Sequence, residues 1–214
     1  MKNLSSSAVL IISVLVGVVL LGVLVFAARN AEKSAETATL PISFEEFSDF
    51  ECPACASFYP LVEQIRDEFG DDVAFEYKHF PLTTIHPNAY SAAVASEAAR
   101  EQGKFEEFYD RLFEEQKNLS QELYVSIAEE IGLNVEQFQS DLQNPVVVAR
   151  VDADIAEGNQ RNVNATPTFF IDGKRVNFGT SDPAARLREL LQERVDLAKS
   201  QQPESAPDSA PASN

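Results

Sequence analysis

Apolar residues along this chain fall into blocks whose spacing changes from one block to the next. The first is unpatterned: Ala8 to Ala28 is uncharged throughout and interrupted only by Ser13, Gly17 and Gly22. As a helix those 21 residues would span roughly 32 Å, about the thickness of a bilayer's hydrocarbon core. That length predicts a single transmembrane anchor within residues 1–28. Val25-Phe26-Ala27 also imitates a signal-peptidase site, so a cleaved leader is the alternative. Ile42 to Phe47 reads as a strand. From Pro53 to Phe69 the residues Phe58, Leu61, Val62, Ile65 and Phe69 recur at helical spacing, and Gly70 is a stop signal. Val73 to Phe80 alternates apolar and polar positions, which completes a βαβ unit.

Residues 87 to about 163 then read as helical throughout. An alanine-rich run over 88–102, an aromatic run over 104–116, and the runs 120–131, 135–143 and 145–161 each carry an apolar stripe. Gly103, Gly132 and Pro145 punctuate them. The stripe of Phe105, Phe108 and Phe113 is expected to be helical core rather than a substrate groove. Thr168 to Ile171 reads as a strand, Asp172-Gly173 as a tight turn, and Arg175 to Phe178 as the returning strand. Asp182-Pro183 opens a last amphipathic helix that ends near Lys199. Residues 29–40 form a polar tether, and 200–214 a disordered tail rich in Ser, Ala, Pro and Gln. The expected fold is therefore α/β: one domain over 41–199, a helical insertion at about 87–163, and a single N-terminal transmembrane helix before it.

Charge narrows the function. Lys2 is the only charged side chain before Arg29, so positions 29–214 carry 16 basic against 34 acidic residues. A surface that negative repels phosphate backbones and argues against nucleic-acid binding. With 44% hydrophobic residues the domain can build a core without staples, and it has only two cysteines, three positions apart. Cys52 and Cys55 are therefore not a disulfide scaffold.

Those cysteines lie where a strand gives way to a helix. With Cys52 as N-cap, Pro53 takes the first helical position, where its missing N–H costs nothing. Cys52 then faces unpaired amides and the positive end of the helix dipole, which favour a thiolate. Cys55 falls in the same first turn, closer to the interior. This assigns Cys52 as the sulfur that attacks or is attacked, and Cys55 as the resolving one. Zinc is the rival reading, but only His79 and His86 could complete a ligand set, and their spacing from Cys55 matches no common site. Both histidines read as structural. Copper lacks soft ligands, since Met1 is the only methionine. An inert bridge closing so small a ring would remove little chain entropy.

Three segments together resemble the DsbA-like branch of the thioredoxin superfamily, over about residues 40–198. They are Phe47-Ser48-Asp49-Phe50-Glu51-Cys52-Pro53-Ala54-Cys55, the helical block, and Thr166-Pro167-Thr168-Phe169-Phe170-Ile171-Asp172-Gly173. The resemblance implies a cis Pro167 packed against the sulfur pair, with the Thr166 backbone offered to an extended substrate. It implies a buried acid at Glu46 that exchanges a proton with Cys55, although a one-residue register shift would put Glu45 there instead. The best-known oxidases of the branch carry histidine where this chain has Ala54, which points to a milder oxidant. The activity implied is a membrane-anchored, extracytoplasmic protein thiol–disulfide oxidoreductase, placed outside because its chemistry needs an oxidising compartment. It would work as a monomeric oxidase of exported proteins. Its redox group would be the Cys52–Cys55 disulfide, with no organic cofactor or metal. A DsbB-like or vitamin K epoxide reductase-like membrane protein would reoxidise it. A reductase or isomerase of the same fold, or an anchored protein holding zinc or a static disulfide, are the alternatives.

Overall fold

The computed structural model describes residues 40–201. The expected anchor over 1–28, the tether up to residue 39 and the tail beyond residue 201 lie outside the described residues. Among those described, no helix is long and apolar enough to cross a membrane. Leu40–Asp196 forms one compact unit.

A four-stranded sheet lies at its centre, in the order β2-β1-β3-β4. Strand β1 (Ile42–Ser48) runs parallel to β2 (Val73–His79) and antiparallel to β3 (Thr168–Ile171), and β4 (Lys174–Arg175) closes the edge antiparallel to β3. Alternation along β1 sends Phe44, Glu46 and Ser48 to one face, and Glu45 and Phe47 to the other. On the first face the Phe44 ring meets Phe75 and Phe169 at centroid distances of 5.1 and 5.6 Å. Phe58 of helix α1 (Pro53–Phe69) covers Phe169 at 5.3 Å. On the second face Phe47 packs edge-on against Phe80 and Phe170.

The helical block follows β2 as α2 (Ala89–Arg100), α3 (Phe105–Glu114), α4 (Gln121–Glu130), α5 (Val135–Asp141) and α6 (Pro145–Gln160). Its boundaries follow from local chemistry. Ser120, Asn134 and Asn144 each accept a hydrogen bond from an amide in the first turn of the following helix, at 3.2, 3.0 and 3.0 Å. The alanines of α2 (Ala92, Ala93, Ala95, Ala98 and Ala99) are buried, and their small volume lets neighbouring helices approach closely. Phe105, Phe108, Tyr109 and Phe113 of α3 are core residues, as their spacing predicts. Their rings continue through Tyr77 to Phe50, so the insertion shares one aromatic cluster with the turn before Cys52.

Several boundaries differ from expectation by a residue or more. The returning strand stops at Arg175 because the chain turns to lay Phe178 on Phe58 and Phe169, although Val176 N–H still donates to the Phe169 carbonyl at 2.9 Å. Helix α2 starts at Ala89 because the Asn88 amide and side chain donate to Glu51. The last helix, α7 (Pro183–Gln201), runs two residues further than predicted.

Gly158 in α6 lies against the rings of Phe47 in β1 and Phe80 just after β2. A Cβ there would lie 2.5 Å from the Phe80 ring and 3.2 Å from Phe47. Gly158→Ala should therefore destabilise the fold by about 1–2 kcal/mol despite the helix-propensity gain. Denaturant unfolding measures this, and a variant as stable as the parent would contradict it.

Candidate active site

The site is assembled where β1 ends. Asp49 is buried and accepts three hydrogen bonds: from Glu51 N–H at 2.8 Å, Leu82 N–H at 2.8 Å and His86 Nδ1 at 2.7 Å. Cys52 N–H donates to the Asp49 carbonyl at 3.1 Å. From the insertion, the Gln116 side-chain amide donates to the carbonyls of Phe50 at 2.8 Å and Cys52 at 2.9 Å. The turn that carries the nucleophile is thus tied down from both sides.

Cys52 is the N-cap of α1 in extended conformation, with Pro53 in the first turn. Both cysteines are free thiols here. Cys52 is 7% exposed and Cys55 fully buried. The Cys52 thiol is pulled down to about 5, chiefly by a hydrogen bond from Cys55. Burial opposes this, while the Thr166 hydroxyl and the amides of Cys55 and Ala54 add support. Cys55 is pushed well above the ordinary thiol range, first by burial, then by its bond to Cys52 and by the nearby Glu46 charge. One sulfur is therefore ionised at neutral pH and the other holds its proton.

The Thr166–Pro167 peptide bond is cis, and Cys52 Sγ lies 3.4 Å from the Thr166 carbonyl oxygen. Pro53 and Ala54 are exposed on the outer rim. The register of β1 separates the two adjacent acids. Glu45 faces away from α1 and is gripped by Arg161 through both guanidinium nitrogens, at 2.7 and 2.9 Å. Glu46, 3% exposed, lies on the face toward α1. Burial raises its carboxyl to about 7, with the Ser48 hydroxyl and Arg66 pulling the other way.

The predicted residues Cys52, Cys55, Thr166, Pro167 and Glu46 thus come together, with Pro53 and Ala54 at the mouth. His79 Nε2 meets Glu97 at 3.0 Å in the interior, and His86 orients Asp49, so both histidines are engaged by carboxylates. Sequence reasoning missed the roles of Asp49, Glu51 and Gln116. The Asp49-Phe50-Glu51 stretch carries the signal of an Asx turn, whereas nothing local marks Gln116.

Residues 37–193 match the family model described as Thioredoxin. The Na(+)/H(+) antiporter NhaA 1 of Mycolicibacterium gilvum is 39% identical over 152 residues, which cover 70% of this chain and 24% of that protein. The chain therefore spans about a quarter of the length of this curated relative. Among solved structures, oxidised BdbD from Bacillus subtilis superposes with a TM-score of 0.64 at 23% identity, covering 73% of this chain and 88% of BdbD. A thioredoxin-like oxidoreductase from Silicibacter pomeroyi gives 0.59 at 28% identity, covering 75% and 88%.

Two outcomes follow from the electrostatics. Alkylation of Cys52 against pH should show a midpoint near 5, and Cys55→Ala should raise it by removing the largest stabilising contact. Because the Glu46 carboxyl is raised from 4.5 to about 7 in the fold, its contribution to stability is complete below pH 4.5 and lost as pH rises through 7. Glu46→Gln should escape that loss and exceed the parent by roughly 3 kcal/mol above pH 7, with the gap shrinking toward pH 4.5. Unfolding curves across pH 4–8 of the reduced protein check this, and a pH-independent difference would contradict the burial of the acid.

Proposed function

Because the chain belongs to the thioredoxin family, as a thiol–disulfide oxidoreductase of DsbA-like architecture, we propose that it works as an oxidase that donates the Cys52–Cys55 disulfide to exported proteins. One observation carries the reading: the two sulfurs differ sharply in acidity, with Cys52 held near 5. A thiolate exists only in the reduced enzyme, so whatever stabilises it favours the reduced form and makes the disulfide a better electron acceptor. Ala54 adds no charge beside the sulfur, so this preference rests on Cys55, the helix amides and the cis-proline loop, which suits a moderate oxidant.

In the forward reaction a substrate thiolate attacks Cys52 Sγ and the Cys52–Cys55 bond breaks. Cys55 leaves and takes a proton from Glu46, whose carboxyl is poised near neutrality to give or accept one. A second substrate thiolate then attacks the substrate sulfur of the mixed disulfide. Cys52 departs as a stable thiolate, and the substrate has lost two electrons and two protons. The Thr166 backbone, beside the nucleophile, offers an edge on which an extended substrate segment can lie as an added strand. The reading includes a membrane anchor in residues 1–28, a catalytic domain outside the membrane and a monomer without organic cofactor or metal. Reoxidation would come from a DsbB-like or vitamin K epoxide reductase-like membrane protein. Ion exchange belongs to the antiporters as whole proteins, and the segment shared with them gives no ground for carrying it over.

Cys55→Ala, which cannot resolve, should accumulate mixed disulfides between Cys52 and several exported proteins, visible on non-reducing gels and absent in the Cys52→Ala, Cys55→Ala double variant. The reduction potential of the pair should lie above the roughly −270 mV of thioredoxin. A value at or below that, with thiols predominating in cells, would reverse the assignment to a reductase.

A further inference from the structure

Ser48 occupies a position that the two-sulfur, one-acid scheme leaves unused. It ends β1 two residues after Glu46, so both side chains project from the same face toward α1, where Cys55 lies. Its backbone is fixed, since Phe80 N–H donates to the Ser48 carbonyl at 2.8 Å. The residue is 1% exposed. Its hydroxyl lies within interaction reach of the Glu46 carboxyl, the Cys55 thiol and the Tyr77 hydroxyl, and no hydrogen bond of standard geometry commits it to one of them. Buried hydroxyls are normally committed to a partner, and one that is not can turn between donor and acceptor roles.

Other groups crowd the same space. Glu63 and Arg66 approach Glu46 from α1, Tyr77 from β2 and Tyr109 from α3. Arg66 cannot act as a proton acceptor. Tyr77 reaches Glu46 and Cys55 only through longer-range electrostatics, and its hydrogen-bonding neighbour is Ser48 itself. The serine hydroxyl alone borders both the acid and the buried sulfur and can accept one proton while giving up another.

We propose that the Ser48 hydroxyl relays the proton between Glu46 and Cys55. When a mixed disulfide on Cys52 is resolved, Cys55 attacks Cys52 Sγ and the substrate leaves as thiolate. The Cys55 proton passes to Ser48 Oγ, and the hydroxyl's own proton passes to the Glu46 carboxylate. In the opposite direction Glu46 gives its proton to the hydroxyl, and the hydroxyl's original proton goes to the departing Cys55. The serine is unchanged in either case. This inference rests on Glu46 as the acid, and its test separates the two ideas.

The reduced full chain is mixed with oxidised glutathione at pH 7, quenched in acid at successive times, and the mixed disulfide counted by mass spectrometry. Formation of the mixed disulfide depends on the Cys52 thiolate, whereas its disappearance depends on Cys55 losing a proton. Ser48→Ala should leave formation unchanged and slow disappearance about tenfold, so that the adduct accumulates. Ser48→Thr, which keeps a hydroxyl, should return the second rate to within about threefold of the parent. Glu46→Gln should also slow the second step. If Glu46→Gln slows it and Ser48→Ala does not, the relay is wrong and the acid stands. If neither changes it, both are wrong. Equal slowing of both steps in Ser48→Ala, or a threonine variant as slow as the alanine one, would mean that the serine is only structural.

Discussion

A thiolate facing the first turn of a helix, bonded to a neighbour that keeps its proton, is the interaction on which this molecule depends. Cys52 is favoured as a thiolate chiefly by its bond from Cys55, and Cys55 is held neutral first by burial and then by that same bond. Burial supplies the asymmetry. The inner sulfur is pushed toward its neutral form by desolvation, and that neutral thiol becomes the donor that holds the outer charge. The helix amides and the loop at Thr166 reinforce the outcome.

The rest of the fold holds that pair in place. The sheet contributes its central strand, whose alternation delivers an acid to one face and an ion pair to the other. The insertion contributes Gln116 and the aromatic cluster around Phe50, and the loop after β2 is anchored to the same turn through Asp49. Backbone groups of the turn are thereby committed to side-chain partners, so the geometry that lowers the thiol's pKa does not have to be found anew at each encounter.

Much of this was legible in the chain itself. Helix α1 could be placed to the residue because a proline follows its cap, an apolar stripe runs its length and a glycine ends it. The CxxC spacing and the Thr166-Pro167 pair declared the site, and the helical block was readable from its caps and stripes. What periodicity could not settle was which of Glu45 and Glu46 faces inward, since adjacent strand residues differ by one step of register. Arg161, more than a hundred residues away, decides it by claiming Glu45 with a bidentate ion pair and lying 3.7 Å over the Phe170 ring. The shortened β4 escaped for a related reason: Phe178 answers to rings brought near only by folding. Contacts between distant segments are invisible to local pattern, and they are what finish the site.

Gln116 has a consequence for transplanting this chemistry. Its single amide reaches out of the helical block to two carbonyls that bracket Glu51, and one of them belongs to the nucleophile itself. A designer who moved the Cys-Pro-Ala-Cys segment onto a scaffold lacking the insertion would keep the helix and the cis-proline loop but strand the Phe50 carbonyl without its donor. The motif is thus not portable as four residues. Its smallest transferable unit includes a glutamine sixty-one positions further along the chain than the second cysteine.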